Sequence, residues 1–332
     1  MSEYWFDQMI FIPGVAKSGT TTLFEMLSRH PQISPSRVKE PLFFNQHSKV
    51  ILKNEHWYAS LFPKKAVLPM EASSLYAFSE SAFIQILTHV KRPKFIILVR
   101  DPAMRAFSAY QHMANRVPVR DKRRFCELVD SFPDDNFDMD VEKTNCERAA
   151  HAGHIDAGYF GPDYHARTFR APFKSCFMDP LAWFSYFTFS SYRLWLLPLL
   201  KKLQVNYKIV FLEHLISTPR AIMDNVLEFL ELEKCDKVYI PCRKNSATLP
   251  KSGIMTAWRK TFPAHRLLGR PLAEIFDDNG MRYFSDWTKS LFFKPAPPID
   301  PDLYHRTKAL LQHEYDFWFR EKPELEYLWS RK

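Results

Sequence analysis

Glycine is scarce in this 332-residue chain, with eight in all, where ordinary chains carry about 7%. The pair Gly14 and Gly19 within one short stretch therefore carries weight. Cysteine is sparse too: Cys126, Cys146, Cys176, Cys235 and Cys242 are an odd number with no CxxC pair. That argues against a disulfide framework or a zinc site and reads as free thiols in a reducing compartment. The first 14 residues lack a basic region followed by an apolar run, so no signal peptide or membrane anchor is read there. The nearest thing to a membrane span is Leu181–Leu200, but Arg193, Pro198 and three serines interrupt it. It reads instead as a substrate-side aromatic helix. There is no internal repeat or low-complexity tract.

Hydrophobic residues make up 46% of the chain, which excludes wholesale disorder. The length suits a single large α/β domain. The net charge is +9. A basic surface concentrates anionic partners, whether nucleic acid, a membrane face, a nucleotide or a sulfated product. Charge alone does not choose among them. The basic residues are dispersed, with no stacking motif or helix-turn-helix pattern, so no nucleic-acid partner is expected.

Apolar periodicity supplies the fold class. Met9 to Gly14, Lys94 to Val99 and Tyr207 to Leu212 are short apolar runs of the kind buried in a parallel sheet. Helical spacing follows the first run (Leu23, Met26, Leu27), the second (Met104 to Met113) and the third (Pro219 to Leu232), and a further helix over Tyr192–Leu203 precedes the third. Strand and helix alternate, which predicts an α/β, P-loop-like three-layer fold with a mainly parallel central sheet and helices on both faces. Between about 114 and 160 the pattern weakens and charge rises, as in an insertion or lid.

The stretch Gly14-Val15-Ala16-Lys17-Ser18-Gly19-Thr20-Thr21-Thr22 joins the first strand to the first helix. A glycine turn at a helix N-terminus aims free N–H groups and the positive dipole end at one point, which suits an anion. Lys17 adds a point charge and the hydroxyls add donors. The nucleoside-triphosphatase pattern GxxxxGK[ST] has its lysine after the second glycine. Here Lys17 precedes Gly19, so a P-loop kinase is a poor match. Asp101 is the one tempting metal aspartate for that alternative.

The segment Pro13-Gly14-Val15-Ala16-Lys17-Ser18-Gly19-Thr20-Thr21-Thr22-Leu23 resembles the 5′-phosphosulfate loop of the sulfotransferases that use 3′-phosphoadenosine 5′-phosphosulfate (PAPS). Val99-Arg100-Asp101-Pro102, followed by a helix bearing Ser108, resembles that family's second signature. The resemblance implies that Lys17, Ser18, Gly19, Thr20, Thr21 and Thr22 hold the phosphosulfate and that Arg100 and Ser108 hold the 3′-phosphate. Arginine suits phosphate as a planar, multi-donor cation. Lys17 would also neutralise the leaving oxygen. Lys251 and Ser252 resemble the element that holds adenosine. No metal is implied.

The family's cytosolic branch uses a histidine base in a K-x-H-L-P-type segment, which this sequence lacks. The heparan-sulfate and related carbohydrate branch places a glutamate before a Phe-Phe pair. Lys39-Glu40-Pro41-Leu42-Phe43-Phe44 matches that arrangement and implies Glu40 as the general base. Apolar neighbours would suit a carboxylate working near neutrality. His47, His56 and His112 are second-choice bases. The glycan enzymes often carry lysine after the glutamate of a segment resembling E-K-[ST]-P. Here Ala72 follows Glu71, which leaves open whether Lys39 substitutes or the acceptor differs. The expectation is a soluble cytoplasmic enzyme, without stable membrane insertion, acting on a hydroxyl or amine of a small molecule, glycolipid or carbohydrate. The alternatives are a P-loop-like nucleotide kinase and a non-catalytic nucleotide- or nucleic-acid-binding protein.

Overall fold

A computed structural model of the chain describes residues 5–63, 65–115, 120–133, 136–156, 171–174, 180–239, 248–250 and 293–330. Its centre is a five-stranded sheet in the order β2-β3-β1-β4-β5. The strands are β1 (Phe6–Gly14), β2 (Ile33–Pro35), β3 (Leu68–Glu71), β4 (Val90–Val99) and β5 (Tyr207–Phe211). Every pairing within it is parallel. Three strands were foreseen; β2 and β3, of three and four residues, were not.

Both faces are covered, and strand alternation shows it. Ile10 and Ile12 of β1 and Ile96 and Leu98 of β4 point to one side, where they meet Leu23, Met26 and Leu27. Those three belong to helix α1 (Thr20–Leu27). Met223, Val226, Leu227 and Leu230, from the helix Pro219–Leu230, complete that layer. Met9, Phe11, Phe95, Ile97 and Val99 point the other way. They meet Phe83 and Ile86 of the helix Glu80–His89, Ala103 and Ala106 of the helix Pro102–Ala114, and Tyr315, Trp318 and Trp329 near the C-terminus. Continuous apolar strands need this two-sided cover.

The strand order puts the site in place. From β1 the chain runs to β2 and β3 on one side, then crosses to β4 on the other. The loops after β1 and β4 therefore emerge side by side at the carboxyl ends of adjacent parallel strands, where open α/β sheets bind ligands.

Outside the sheet, one expectation changes. The stretch 181–200 is not one helix. It forms two short 3₁₀ turns, Pro180–Phe184 and Thr188–Ser190, and then a helix over Tyr192–Leu203. The hydroxyls of Ser190 and Ser191 bond back to the Tyr186 and Phe187 carbonyls at 2.9 and 3.0 Å, competing with a regular helix there. The stretch from about 114 to 160 has no strand of the main sheet among its described residues. It carries helices Phe125–Val129 and Met139–His151, tied together by an Asp121–Ile155 bridge. The C-terminal helices Pro301–Leu310, Gln312–Glu321 and Glu324–Trp329 pack on the sheet without having been read from the sequence.

Candidate active site

The loop after β1 turns through two left-handed residues, Lys17 at φ 73° and Gly19 at φ 91°. Val15 N–H donates to the Leu98 carbonyl at 2.7 Å, tying the loop to β4. Gly19 is the N-cap of α1, and no side chain caps that end. The first-turn N–H groups at Thr20 to Thr22 thus face whatever lies before the helix. A Cβ on Gly19 would lie 2.5 Å from Cδ1 of Leu212; one on Gly14 would lie 2.8 Å from Cβ of Ala77 and 2.9 Å from the Ser74 carbonyl. Both glycines are fixed by close approach, and Gly19 also by its backbone conformation.

Arg100, at the end of β4, donates from Nη1 to the Lys17 carbonyl at 3.3 Å. Its Nε is buried and finds no hydrogen-bond partner among the described residues. A buried guanidinium nitrogen left without an acceptor is costly. It is a donor that an oxyanion could take up. The Tyr192 hydroxyl donates to the Arg100 carbonyl at 3.0 Å and so fixes the arginine's backbone. Burial pushes the Tyr192 hydroxyl upward, so it stays a neutral donor.

Asp101 is structural. Its carboxylate accepts from Met104 N–H at 2.9 Å and from the Tyr304 and Tyr315 hydroxyls at 2.8 and 2.9 Å. It caps the helix Pro102–Ala114 and moors the C-terminal helices. That commitment removes it as the metal aspartate of a kinase.

Arg105 lies on the helix Pro102–Ala114, between Arg100 and Ser108. It is 3% exposed and donates from Nε to the Ala16 carbonyl at 3.0 Å and from Nη1 to the Tyr186 carbonyl at 3.1 Å. Its guanidinium lies over the rings of Phe78 and Phe189. Burial lowers its pKa to about 10, so it remains a cation at neutral pH. Ser108 follows three residues later, on the side of the helix that carries Arg105.

Glu40 sits at φ 64° and accepts from Lys39 Nζ at 2.6 Å and from the Ser74 hydroxyl at 2.9 Å. The same Ser74 presents its carbonyl to Gly14, which brings Glu40 to the start of the anion loop. The apolar surroundings expected for Glu40 are not found. Phe43 and Phe44 point away into the core at 0% exposure, with Phe43 stacked on Tyr58 at 4.6 Å. The Glu40 side chain is 33% exposed. Left-handed backbone at Glu40 and at Leu42 (φ 52°) turns the chain between them. His47 and His56 are exposed on their own helical segments.

Thus Lys17, Gly19, Thr20 and Arg100 lie together at the carboxyl end of the sheet, with Glu40 joined to the start of the loop through Ser74 and Ser108 on the helix after Arg100. Lys251 and Ser252 lie outside the described residues. The structure adds Arg105, Tyr192 and Ser74, whose roles depend on contacts far apart in sequence.

The chain belongs to the sulfotransferase family: the family's sulfotransferase domain model matches residues 7–251. Enzymes of this family transfer sulfuryl groups, and PAPS is their general donor. Among curated relatives, a bifunctional heparan sulfate N-deacetylase/N-sulfotransferase 1 of Caenorhabditis elegans is 35% identical over 116 residues, covering 33% of this chain and 13% of that protein. The heparan sulfate glucosamine 3-O-sulfotransferase 3B1 of Mus musculus is 35% identical over 109 residues, covering 32% of this chain and 27% of that protein. The membrane-associated sulfotransferase kil1 of Dictyostelium discoideum is 34% identical over 102 residues, covering 29% of this chain and 21% of that protein. The chain therefore spans under a third of the length of each of these relatives. A solved sulfotransferase structure from Alicyclobacillus acidocaldarius is 22% identical, with a TM-score of 0.48, covering 70% of this chain and 83% of that one.

The expectation of a cytoplasmic enzyme is overturned. Relatives of this chain are heparan sulfate enzymes and a sulfotransferase named as membrane-associated. The expectation had rested on reading no leader or anchor in the first residues, and that reading does not state a compartment. Among the described residues, no helix is long and apolar enough to cross a membrane.

Proposed function

We propose that this chain moves the sulfuryl group of PAPS to a hydroxyl or amine of a carbohydrate or small-molecule acceptor, with Glu40 as general base and Lys17 at the leaving oxygen. The observation that carries the reading is the hydrogen bond from Arg100 to the Lys17 carbonyl, with Arg100 Nε buried and unaccepted. It couples the loop suited to the phosphosulfate with a second cation suited to another phosphate. PAPS has that second phosphate and ATP does not.

The division of labour follows from position. The α1 N-terminus and the hydroxyls of Ser18, Thr20, Thr21 and Thr22 bind the phosphosulfate oxygens. Arg100 and Ser108 bind the 3′-phosphate, and Lys251 with Ser252 serves the adenosine. Lys17 neutralises charge that develops on the bridging oxygen as the S–O bond breaks. Glu40 takes the acceptor's proton, and in-line attack needs little more than positioning and electrostatics. Lys39 and Ser74 hold Glu40 until an acceptor arrives. Among the described residues, no cluster of three or more His, Cys, Asp or Glu is placed to hold a metal ion.

The segments 114–160 and 181–200 form the acceptor side of a single domain. Arg105 supports that view, because it binds the Ala16 carbonyl of the donor loop and the Tyr186 carbonyl of the aromatic segment. The relatives named for N-sulfation and 3-O-sulfation of heparan sulfate support a carbohydrate acceptor and leave amine and hydroxyl equally open. The test is transfer from radiolabelled PAPS to a panel of N-desulfated heparan sulfate, galactosylceramide and p-nitrophenol. Label in any of these, dependent on Lys17 and Glu40, supports the reading. Binding of PAPS with no transfer to any acceptor class, and no release of adenosine bisphosphate, would contradict it.

A further inference from the structure

β4 ends at Val99, opposite Phe211 of β5, and the pairing of the two strands stops there. Arg100 and Asp101 then carry the chain into the helix Pro102–Ala114. Backbone groups beyond the last strand pairing need partners from elsewhere. Two side chains supply most of them. The Tyr192 hydroxyl donates to the Arg100 carbonyl at 3.0 Å and accepts from Arg100 N–H at 3.4 Å. Asp101 N–H donates to Glu213 Oε1 at 3.3 Å. The Asp101 carbonyl accepts from Arg105 N–H at 2.8 Å, as the first turn of the helix requires.

Both side chains come from one stretch of chain. Tyr192 opens the helix Tyr192–Leu203 that precedes β5, and Glu213 follows β5 after Leu212. Leu212 touches the other half of the site, since a Cβ on Gly19 would lie 2.5 Å from its Cδ1. β5 runs from Phe211 straight into the helix Leu212–Ser217, with no loop between them to absorb a shift. The consequence falls on Arg100. With its backbone held, its side chain leaves from a fixed point. Nη1 rests on the Lys17 carbonyl at 3.3 Å, and Nε is buried with no hydrogen-bond partner among the described residues. A donor fixed in advance costs a ligand less ordering on binding.

We propose that Glu213 is a positioning residue for Arg100: together with Tyr192 it holds the Arg100–Asp101 backbone, so that the guanidinium stands ready for the 3′-phosphate of the donor. The proposal rests on the reading of Arg100 as the 3′-phosphate cation. Glu213 acts through the backbone, by taking an N–H that strand pairing no longer serves. A selective effect follows. Adenosine 3′,5′-bisphosphate feels the clamp through Arg100. Adenosine 5′-monophosphate, which lacks the 3′-phosphate, does not.

The test titrates both nucleotides into the full chain, as wild type and as Glu213→Ala, Glu213→Gln and Arg100→Ala. In Glu213→Ala the bisphosphate should bind about tenfold more weakly, while the monophosphate stays within about twofold. Glu213→Gln keeps an oxygen that can accept from Asp101 N–H and should restore most of the bisphosphate affinity. Adding Glu213→Ala to Arg100→Ala should weaken the bisphosphate no further, because the two changes act on one contact. Unchanged bisphosphate affinity in Glu213→Ala overturns the proposal. Equal weakening of both nucleotides also overturns it, since that marks plain loss of structure. A defect in Glu213→Gln as large as in Glu213→Ala overturns it too. Glu213→Leu, which fills the space without offering an acceptor, replaces Glu213→Ala if that variant folds poorly, with the same expected outcome. Should Arg100→Ala bind the bisphosphate as wild type does, the reading of Arg100 fails and the proposal with it. If Arg100→Ala loses that affinity and Glu213→Ala keeps it, the proposal alone fails.

Discussion

Arg100 Nη1 meets the carbonyl of Lys17 at 3.3 Å, although 83 residues separate them. Adjacent parallel strands make the meeting possible, since β1 and β4 deliver their following loops to the same edge. The contact joins two cations and orients the Lys17 backbone at its left-handed turn.

Replacing Arg100 with alanine should weaken adenosine 3′,5′-bisphosphate about tenfold to a hundredfold, in line with loss of hydrogen bonds to a charged group. The cost to the fold should be small, since the change gives up the single bond from Nη1 to the Lys17 carbonyl and Nε has no partner among the described residues. Calorimetric titration and thermal melting check the two halves. Equal nucleotide affinity in the variant would remove Arg100 from the site.

Gly19→Ala tests the loop's geometry. Alanine there must take φ near 91° and place Cβ 2.5 Å from a Leu212 methyl. A left-handed alanine costs about 1–2 kcal/mol before any clash. Lower stability together with at least tenfold weaker nucleotide binding is expected, measured by urea unfolding and titration. A stable variant with intact binding would mean that the loop does not need this turn.

Glu40→Gln should leave nucleotide binding intact and lower kcat by about 10²- to 10⁴-fold, the usual span for a lost general base. Lys17→Ala should also lower kcat strongly, but with weaker donor binding. Steady-state kinetics with labelled PAPS separate them. Near wild-type turnover in Glu40→Gln would send the search for the base elsewhere.

Glu71, buried at the end of β3, predicts a pH dependence. Its folded pKa of about 7 lies above the ordinary 4.5, so the native state binds its proton more tightly than the unfolded chain does. The stability it contributes is full below pH 4.5 and is lost as pH rises through 7. His89 and His313, held low by burial, act in the opposite sense over part of that range. The difference between Glu71→Gln and wild type isolates the carboxyl. That difference should move in favour of the variant between pH 4.5 and 8, by on the order of 3 kcal/mol at most. Urea unfolding at several pH values measures it, and a pH-independent difference would mean that Glu71 is not buried as described.

Arg105 supplies a further prediction. Arg105→Lys keeps the charge but cannot span the Ala16 and Tyr186 carbonyls with one ammonium. Leaving a buried carbonyl without its donor costs about 1–3 kcal/mol. A fall in Tm with weaker nucleotide binding is expected. Full binding in this variant would show that the donor loop does not lean on Arg105.

Much of the site was legible because it is local. Gly14 to Thr22 and Arg100 to Ser108 each lie within one strand-to-helix passage, and the residues proposed to hold the donor come from the family resemblance. The parallel sheet was legible for the same reason in β1, β4 and β5, whose apolar runs are long. β2 and β3 were not, because Ile33–Pro35 and Leu68–Glu71 are too short for a periodicity and each contains proline. Ser74 and Arg105 could not be read because tertiary contacts define them: Ser74 reaches Glu40 across 34 residues, and Arg105 reaches Ala16 across 89. The sequence misled at Glu40, where adjacency to Phe43 and Phe44 suggested shared apolar surroundings. Two left-handed residues send the rings inward and leave the carboxylate at the surface.

Isothermal titration of the full chain with adenosine 3′,5′-bisphosphate, set against ATP with magnesium, tests the central claim most directly. Tight binding of the bisphosphate, lost in Arg100→Ala, together with weak or no binding of ATP, is the expected result. Tight magnesium-dependent binding of ATP with none of the bisphosphate would contradict the assignment of Lys17 and Arg100 to a PAPS site.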